Sequence, residues 1–324
     1  MKKTYLFTII ILFSVLILGV AFGATPISLR EIFLNSNTTY YVILYQMRMP
    51  RVVLSMLVGG VLAGCGVAFQ SILKNPLAEP YTLGVSSGAG LGATLAMTFL
   101  VNYRIYGLST ITFFSFLFAI FTVILVYFLA KSQGSLNPLN LILAGVVISS
   151  TFSAFISFIM IYADDNIRQI FFWLMGNLQR ASWDKLKIII IPAVIGLILI
   201  ALKLKELNLL LLGDEEAASL GVEVEKTKKI IILGATLATA SVVSISGLIG
   251  FVGLIVPHTL RLIFGGDNLK IYPLSILWGG IFLTLADLIG RIILVPREIP
   301  VGIITALTGG PFFLFLLKQK AKRE

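Results

Sequence analysis

The chain has one cysteine, Cys65, and one histidine, His258. A single cysteine excludes an internal disulfide, and a lone histidine leaves no multi-histidine metal site. No metal and no cofactor is therefore expected. His258 follows Pro257 at a helix break and reads as structural, with a proton relay as its alternative. Charge is scarce as well, since Asp, Glu, Lys and Arg make up 12% of the residues against about 25% in soluble domains. No G-x-x-x-x-G-K-[ST] phosphate loop occurs, so ATP is not bound through that motif. Asp287 is the one acid that falls inside an apolar run, and Arg291 one turn later offers it an i,i+4 partner. A proton- or sodium-coupled carrier is expected to place more ionisable groups within its spans. These shortages count against a membrane enzyme and against a secondary transporter, the alternative class.

What fills the chain instead is apolar. Hydrophobic residues make up 58% of its 324 residues and the mean hydropathy is +1.00. With about 20 residues per crossing, the fold class is an all-α polytopic membrane protein of about ten spans, forming a single transmembrane domain over 1–324. The spans are read at 4–29, 52–73, 81–103, 105–130, 141–162, 188–202, 230–247, 250–265, 272–294 and 301–317. The first is read as an uncleaved helix, with a cleaved signal peptide as its rival. The segment 25–47 reads as a polar loop. Lys74 to Pro80 is a sharp break, because two prolines and an asparagine cannot continue a helix. Gly59, Gly60, Gly64 and Gly66 permit close helix contact, while 105–130, rich in Phe and Ile, reads as lipid-facing. A short amphipathic piece is expected at 170–175. The net charge of +10 does not argue for nucleic acid, because the basic residues sit at the ends of apolar runs, where they serve as topology signals and contact lipid headgroups.

One stretch breaks the pattern. Residues 203–229 hold five lysines and six acids, a charge load that hydrocarbon does not tolerate. Asp214 after Gly213 reads as an N-cap, Glu215 and Glu216 suit the positive end of a helix, and Ala217 and Ala218 are strong helix formers. Gly221 after Leu220 reads as the stop. A Gly turn and a second short element then lead back to the membrane. The island is either a solvated linker or a docking knob for a soluble partner.

Ten spans put both termini on one side. Under that count, thirteen of the 15 lysines lie on the side of the termini and of the island, all but Lys185 and Lys187. That excess places this side in the cytoplasm. Eight of the ten arginines fall on the other side: Arg30, Arg48, Arg51, Arg104, Arg168, Arg180, Arg291 and Arg297. Arginine makes bidentate pairs with carboxylates, so these suggest docking to an acidic protein surface, with a headgroup-anchored rim as the alternative. Ser149, Ser150, Ser153 and Ser157, with Thr305 and Thr308, either line a wet pathway or bond back to their own helices.

Several ordered blocks resemble one family. RMPRVVLSMLVGG, KNPLAEPYTLGVSSGAGLGA, LILAGV, FFWLMGNL, LLGDEEAASLGV, SGLIGFVGLIVPHTLRL and ADLIGR…REIPVGIITALTGGPFFLFLL resemble the FecCD-type permeases, the membrane subunits of ATP-driven importers for iron–siderophores, haem and vitamin B12. The resemblance implies a homodimer, or a pair of homologous permeases, in the plasma membrane of a prokaryote. Cytoplasmic ATPase subunits and an extracytoplasmic binding protein would complete it. It implies that Asp214, Glu215, Glu216, Ala217, Ala218, Leu220 and Gly221 couple to the ATPase. Asn75 and Leu77, with Pro138 and Leu139, would form a cytoplasmic gate. Arg48, Arg51 and Arg291 would meet the binding protein, with Arg297 a further candidate. An iron–siderophore chelate is the cargo expected, and haem or cobalamin are the alternatives. Asn137-Pro138-Leu139 stands where the B12 importer has small hydroxyl residues.

Overall fold

A computed structural model describes residues 2–23, 38–100, 104–105, 108–132, 135–163 and 166–321. Helix α1 spans Lys2–Ala21 and α2 Met49–Ile72, with the helical segments Thr38–Tyr41 and Val42–Arg48 running directly into α2. Next come a 3-10 turn, Pro80–Leu83, and α3, Val85–Phe99. The two-residue strands β1 (Arg104–Ile105) and β2 (Leu108–Ser109) pair antiparallel before α4, Thr110–Ala130. A similar hairpin, β3 (Lys131–Ser132) with β4 (Ser135–Leu136), leads to α5, Pro138–Met160. The remaining helices are α6 (Ile167–Leu174), α7 (Trp183–Ala201), α8 (Leu204–Leu210), α9 (Asp214–Ser219), α10 (Val224–Ser246), α11 (Val252–Phe264), α12 (Asn268–Ile292) and α13 (Val301–Ala321).

The ten expected spans correspond to α1, α2, α3, α4, α5, α7, α10, α11, α12 and α13. Six of these are long and apolar enough to cross a bilayer unaided, and α7 with α8, bent by 54°, makes a seventh. Helices α3 and α11 are shorter, with 15 and 13 residues. At about 1.5 Å per residue they fall short of a hydrocarbon core of about 30 Å. Each follows a break, and the two breaks clasp each other. The Tyr81 hydroxyl accepts the Ile249 N–H at 3.0 Å and the Glu79 carboxylate accepts the Phe251 N–H at 3.3 Å. Two backbone donors of the link that leads into α11 are thereby satisfied inside the bundle, as hydrocarbon requires.

Two expectations about the chain path need correction. Residues 42–48 are π-helical rather than a polar loop. Pro50 lacks an N–H and its ring crowds the carbonyl four residues back, and the wider π turn, with Met49 N–H bonded to Leu44 C=O, accommodates it. The fourth span begins at Thr110 rather than 105, because Ser109 caps it by accepting the Thr112 N–H. That span is lipid-facing on one side only. Leu117, Phe121, Ile124 and Phe128 are exposed, while Ser115, Ala119, Thr122 and Val126 are buried.

The core is centred on α2, which is largely buried and lies along α12. A Cβ on Gly59 would sit 2.1 Å from the Gly279 carbonyl oxygen. Only hydrogen at position 59 lets the two backbones approach this closely. Lipid offers apolar side chains no less favourable an environment than a protein core does, so close small-residue packing of this kind is what holds membrane helices together.

Candidate functional site

The charged island folds into α8, α9 and the first turns of α10. Helix α9 stops where the sequence predicts. Gly221 takes φ +86°, its N–H reaches the Ala218 carbonyl and the Val222 N–H reaches that of Ala217, both at 3.0 Å, the double bond of a Schellman stop. Ala217 is buried and Val222 nearly so, which pins the helix by one face. Glu215, Glu216 and Ala218 are exposed on the other, and Leu212 and Leu220, 64% and 59% exposed, flank them. Acids around apolar tips form a surface suited to a protein partner.

Three details of the island differ from expectation. Gly213, not Asp214, is the N-cap, and Asp214 is the first helical residue. Its carboxylate is drawn away to the ammonium groups of Lys228 and Lys74. Burial opposes its ionisation, yet these two cations hold it below the ordinary carboxyl value. The expected second short element is the start of the long helix α10. Finally, the island is not wholly solvated, since Lys228 is 1% exposed.

The two segments expected to form a gate share a tripeptide, Asn75-Pro76-Leu77 and Asn137-Pro138-Leu139. In each, the asparagine Oδ1 accepts the leucine N–H, at 2.9 and 2.8 Å. This Asx geometry turns the chain and leaves Leu77 and Leu139 exposed. Both segments lie at the end of the bundle that carries α9.

The arginines tell a different story from the one expected. Arg48 donates to the carbonyls of Val20 and Ala21 at 3.0 and 2.7 Å, and Arg291 to that of Gly19 at 3.0 Å. Both cap the open carbonyl end of α1. Arg51 forks onto Asp287, at 2.8 Å, and reaches Glu298 at 2.7 Å. Arg291 also pairs with Asp287 at 3.1 Å, so the expected i,i+4 partner is joined by a second from α2. Arg48, Arg51 and Arg291 therefore stitch α1, α2 and α12 together with most of their surface covered, whereas Arg297 is exposed. Arg30 and the Arg104 side chain lie outside the described residues.

Of the hydroxyls, Ser150, Ser153 and Ser157 lie on the exposed face of α5. Ser149 is half-buried and accepts from Ser87 at 3.2 Å. Ser157 bonds back to Ser153 and Thr308 to Ile304, as intrahelical hydroxyls do. Thr305 is buried and bonded to the Gly302 carbonyl, so it does not line an open face.

Sequence reasoning missed a cavity of about 830 Å³ at the end opposite α9. Helix α2, about 36 Å long at 1.5 Å per residue, separates the two ends. Arg168, Arg180, Lys185 and Arg297 line the cavity with a single acid, Glu298, whose carboxylate is already engaged by Arg51 and Gln179. Phe172, Trp173 and the hydroxyls of Ser244 and Ser246 complete its wall. The only hint in the sequence was the outward excess of arginine, because the lining residues are scattered from 109 to 298. Among the described residues no three His, Cys, Asp or Glu side chains come together as a metal site.

The architecture matches solved and curated proteins along nearly the whole chain. A solved structure described as an inward-facing conformation of a metal-chelate type ABC transporter superposes with a TM-score of 0.86 at 32% identity, covering 98% of this chain and all of that one. The cobalamin import system permease protein BtuC of Halobacterium salinarum is 41% identical over 88% of this chain and 76% of its own length. The hemin transport system permease protein HmuU of Yersinia pestis is 38% identical over 98% of this chain and 96% of its own. The FecCD transport family model matches residues 9–319. With that family match over nearly its whole length, and with apolar spans joining an exposed acidic knob at one end to a basic cavity at the other, this chain belongs to the FecCD family and is a multi-pass permease of the ATP-binding-cassette importer type.

Proposed function

We propose that the chain forms the translocation path of an ATP-driven importer for an anionic iron chelate of the siderophore class, working as a pair of permease subunits. The chain catalyses no reaction, and ATP is hydrolysed on a separate cytoplasmic subunit that grips α9. Both termini and α9 lie in the cytoplasm. A binding protein delivers the chelate at the opposite end, where Arg297 and Arg180 are exposed. The single observation that carries this reading is the opposition of two surfaces: a knob with free acids and bare leucines, and, across the bundle, a cavity lined by four cations and one engaged acid. The cavity favours a cargo with negative charge at its rim, as carboxylate and catecholate chelates have. Among the relatives' cargoes, that supports an iron chelate over a corrinoid.

In this mechanism, closure of the ATPase on ATP displaces α9. The displacement opens or shuts a gate built from Asn75, Leu77, Pro138 and Leu139, and the chelate passes along the hydroxyl-bearing face of α5. Driving such a two-state switch from 1:99 to 99:1 takes about 5.5 kcal/mol. The test is uptake by proteoliposomes holding the permease, its ATPase and its binding protein, supplied with labelled ferric chelates, haem or cobalamin. ATP-dependent accumulation of a ferric chelate is expected. Accumulation without ATP would make the chain a secondary carrier, and accumulation of cobalamin alone would overturn the cargo.

A further inference from the structure

Lys228 belongs to the second turn of α10 and is 1% exposed. Its ammonium group donates to the Leu136 carbonyl at 3.1 Å and to the Asp214 carboxylate. Glu225, one turn earlier, accepts the Leu136 N–H at 3.1 Å, so the residue just before Asn137-Pro138-Leu139 is held by both of its backbone groups. The other oxygen of Asp214 meets the Lys74 ammonium at 3.3 Å. Lys74 immediately precedes Asn75-Pro76-Leu77 and takes φ +48°, a left-handed conformation that a lysine rarely adopts. Among the described residues, every ion pair that ties α9 to the rest of the chain runs through Asp214.

We infer that Lys228 and Asp214 form a mechanical joint that transmits displacement of α9 to both Asn-Pro-Leu segments at once. The inference rests on the coupling role proposed above for α9. Lys228 is a positioning residue in this scheme and touches no cargo. The energetics favour that role over a purely structural one. A buried ammonium carries a large desolvation cost, and replacing a buried ion pair, both partners together, by apolar side chains of similar volume is often neutral for stability. An apolar side chain would not hold a carbonyl of one loop and a carboxylate of α9 together. The two arms are also unequal. Lys228 is enclosed, whereas Lys74 and Asp214 are each 39% exposed, so the arm to the 137–139 segment is the stiffer.

The experiment uses the complete importer in nanodiscs. Single thiols are introduced at the exposed leucines, Leu77→Cys or Leu139→Cys, and the rate of reaction with a membrane-impermeant maleimide is measured with and without ATP. The native Cys65 is buried and stays silent. In the parental background both rates are expected to shift severalfold on ATP. In Lys228→Met the response at 139 is expected to vanish and transport to fall at least tenfold, while the response at 77 persists through the Lys74–Asp214 pair and the ATPase still co-purifies and hydrolyses ATP. Lys228→Arg should restore part of the response at 139 and of transport. Lys74→Met alters a half-exposed side chain and so spares folding. It should abolish the response at position 77 and keep that at 139, which carries the test even where Lys228→Met fails to assemble. ATP responses that survive both substitutions overturn the joint and leave the coupling role intact. No ATP response in the parental background overturns the coupling role, and the joint with it.

Discussion

Arg51 and Asp287 lie at a point where three helices meet, and Asp287 is only 2% exposed. Removing one member of a buried pair strands the other, at a cost of about 3–5 kcal/mol. Arg51→Met should therefore lower the unfolding temperature of the detergent-solubilised permease by several degrees. Arg297→Met, at an exposed position, should leave it unchanged. Differential scanning fluorimetry separates the two, and equal effects would return Arg51 to the list of docking residues. Asp214 gives a pH prediction. Its folded pKa lies below the ordinary 3.8. The stabilisation it supplies is thus fully present above that value and is lost only as pH falls through the lower, folded one. Hydrogen-exchange protection of the 217–222 amides, corrected for intrinsic rates, should stay level from neutrality to about pH 4 and decline below.

The elements of the fold follow from a few backbone requirements. A substitution at Gly59 must fit a side chain where 2.1 Å separates the ideal Cβ from the Gly279 carbonyl. Gly59→Leu should part α2 from α12 and destabilise the bundle by at least about 1–3 kcal/mol, the usual cost of overpacking. Loss of monodisperse elution in detergent checks this. At the end of α9 the constraint is conformational rather than spatial, because nothing lies within 4 Å of a Cβ built on Gly221. Gly221→Pro forbids φ +86° and deletes the N–H that bonds to Ala218. It should abolish transport while the ATPase retains its own hydrolysis; parental transport would make the knob a mere linker. The stop at Gly221, the turn at Asn75-Pro76 and the break after Gly247 were all legible in the sequence, because each depends on residues within a few positions of one another. The helical state of 42–48 was not, since Pro50 reads as a breaker unless a π turn absorbs its ring. Nor were the positions of Arg48 and Arg291, whose acceptors on α1 lie 27 to 272 residues away along the chain. Burial of Lys228 was hidden for the same reason, because its partner Leu136 is 92 residues distant.

Across the whole molecule, hydropathy and charge counts were sufficient to mark ten helical segments and a hydrophilic elbow between the sixth and seventh. They could not mark the basic cavity, which exists only once side chains from five parts of the chain converge. The molecule is polarised, with acids and bare leucines at one end and cations around a cavity at the other. An importer needs two such different ends, one for an engine and one for a cargo. The most direct test of this polarity is Glu215→Cys, a single exposed thiol on α9 read against the silent Cys65. A membrane-impermeant maleimide should leave it unmodified in intact cells, modify it in inside-out vesicles, and be blocked there when the ATPase is bound. Modification in intact cells would place the knob outside, and would contradict the engine, the gate and the direction of transport together.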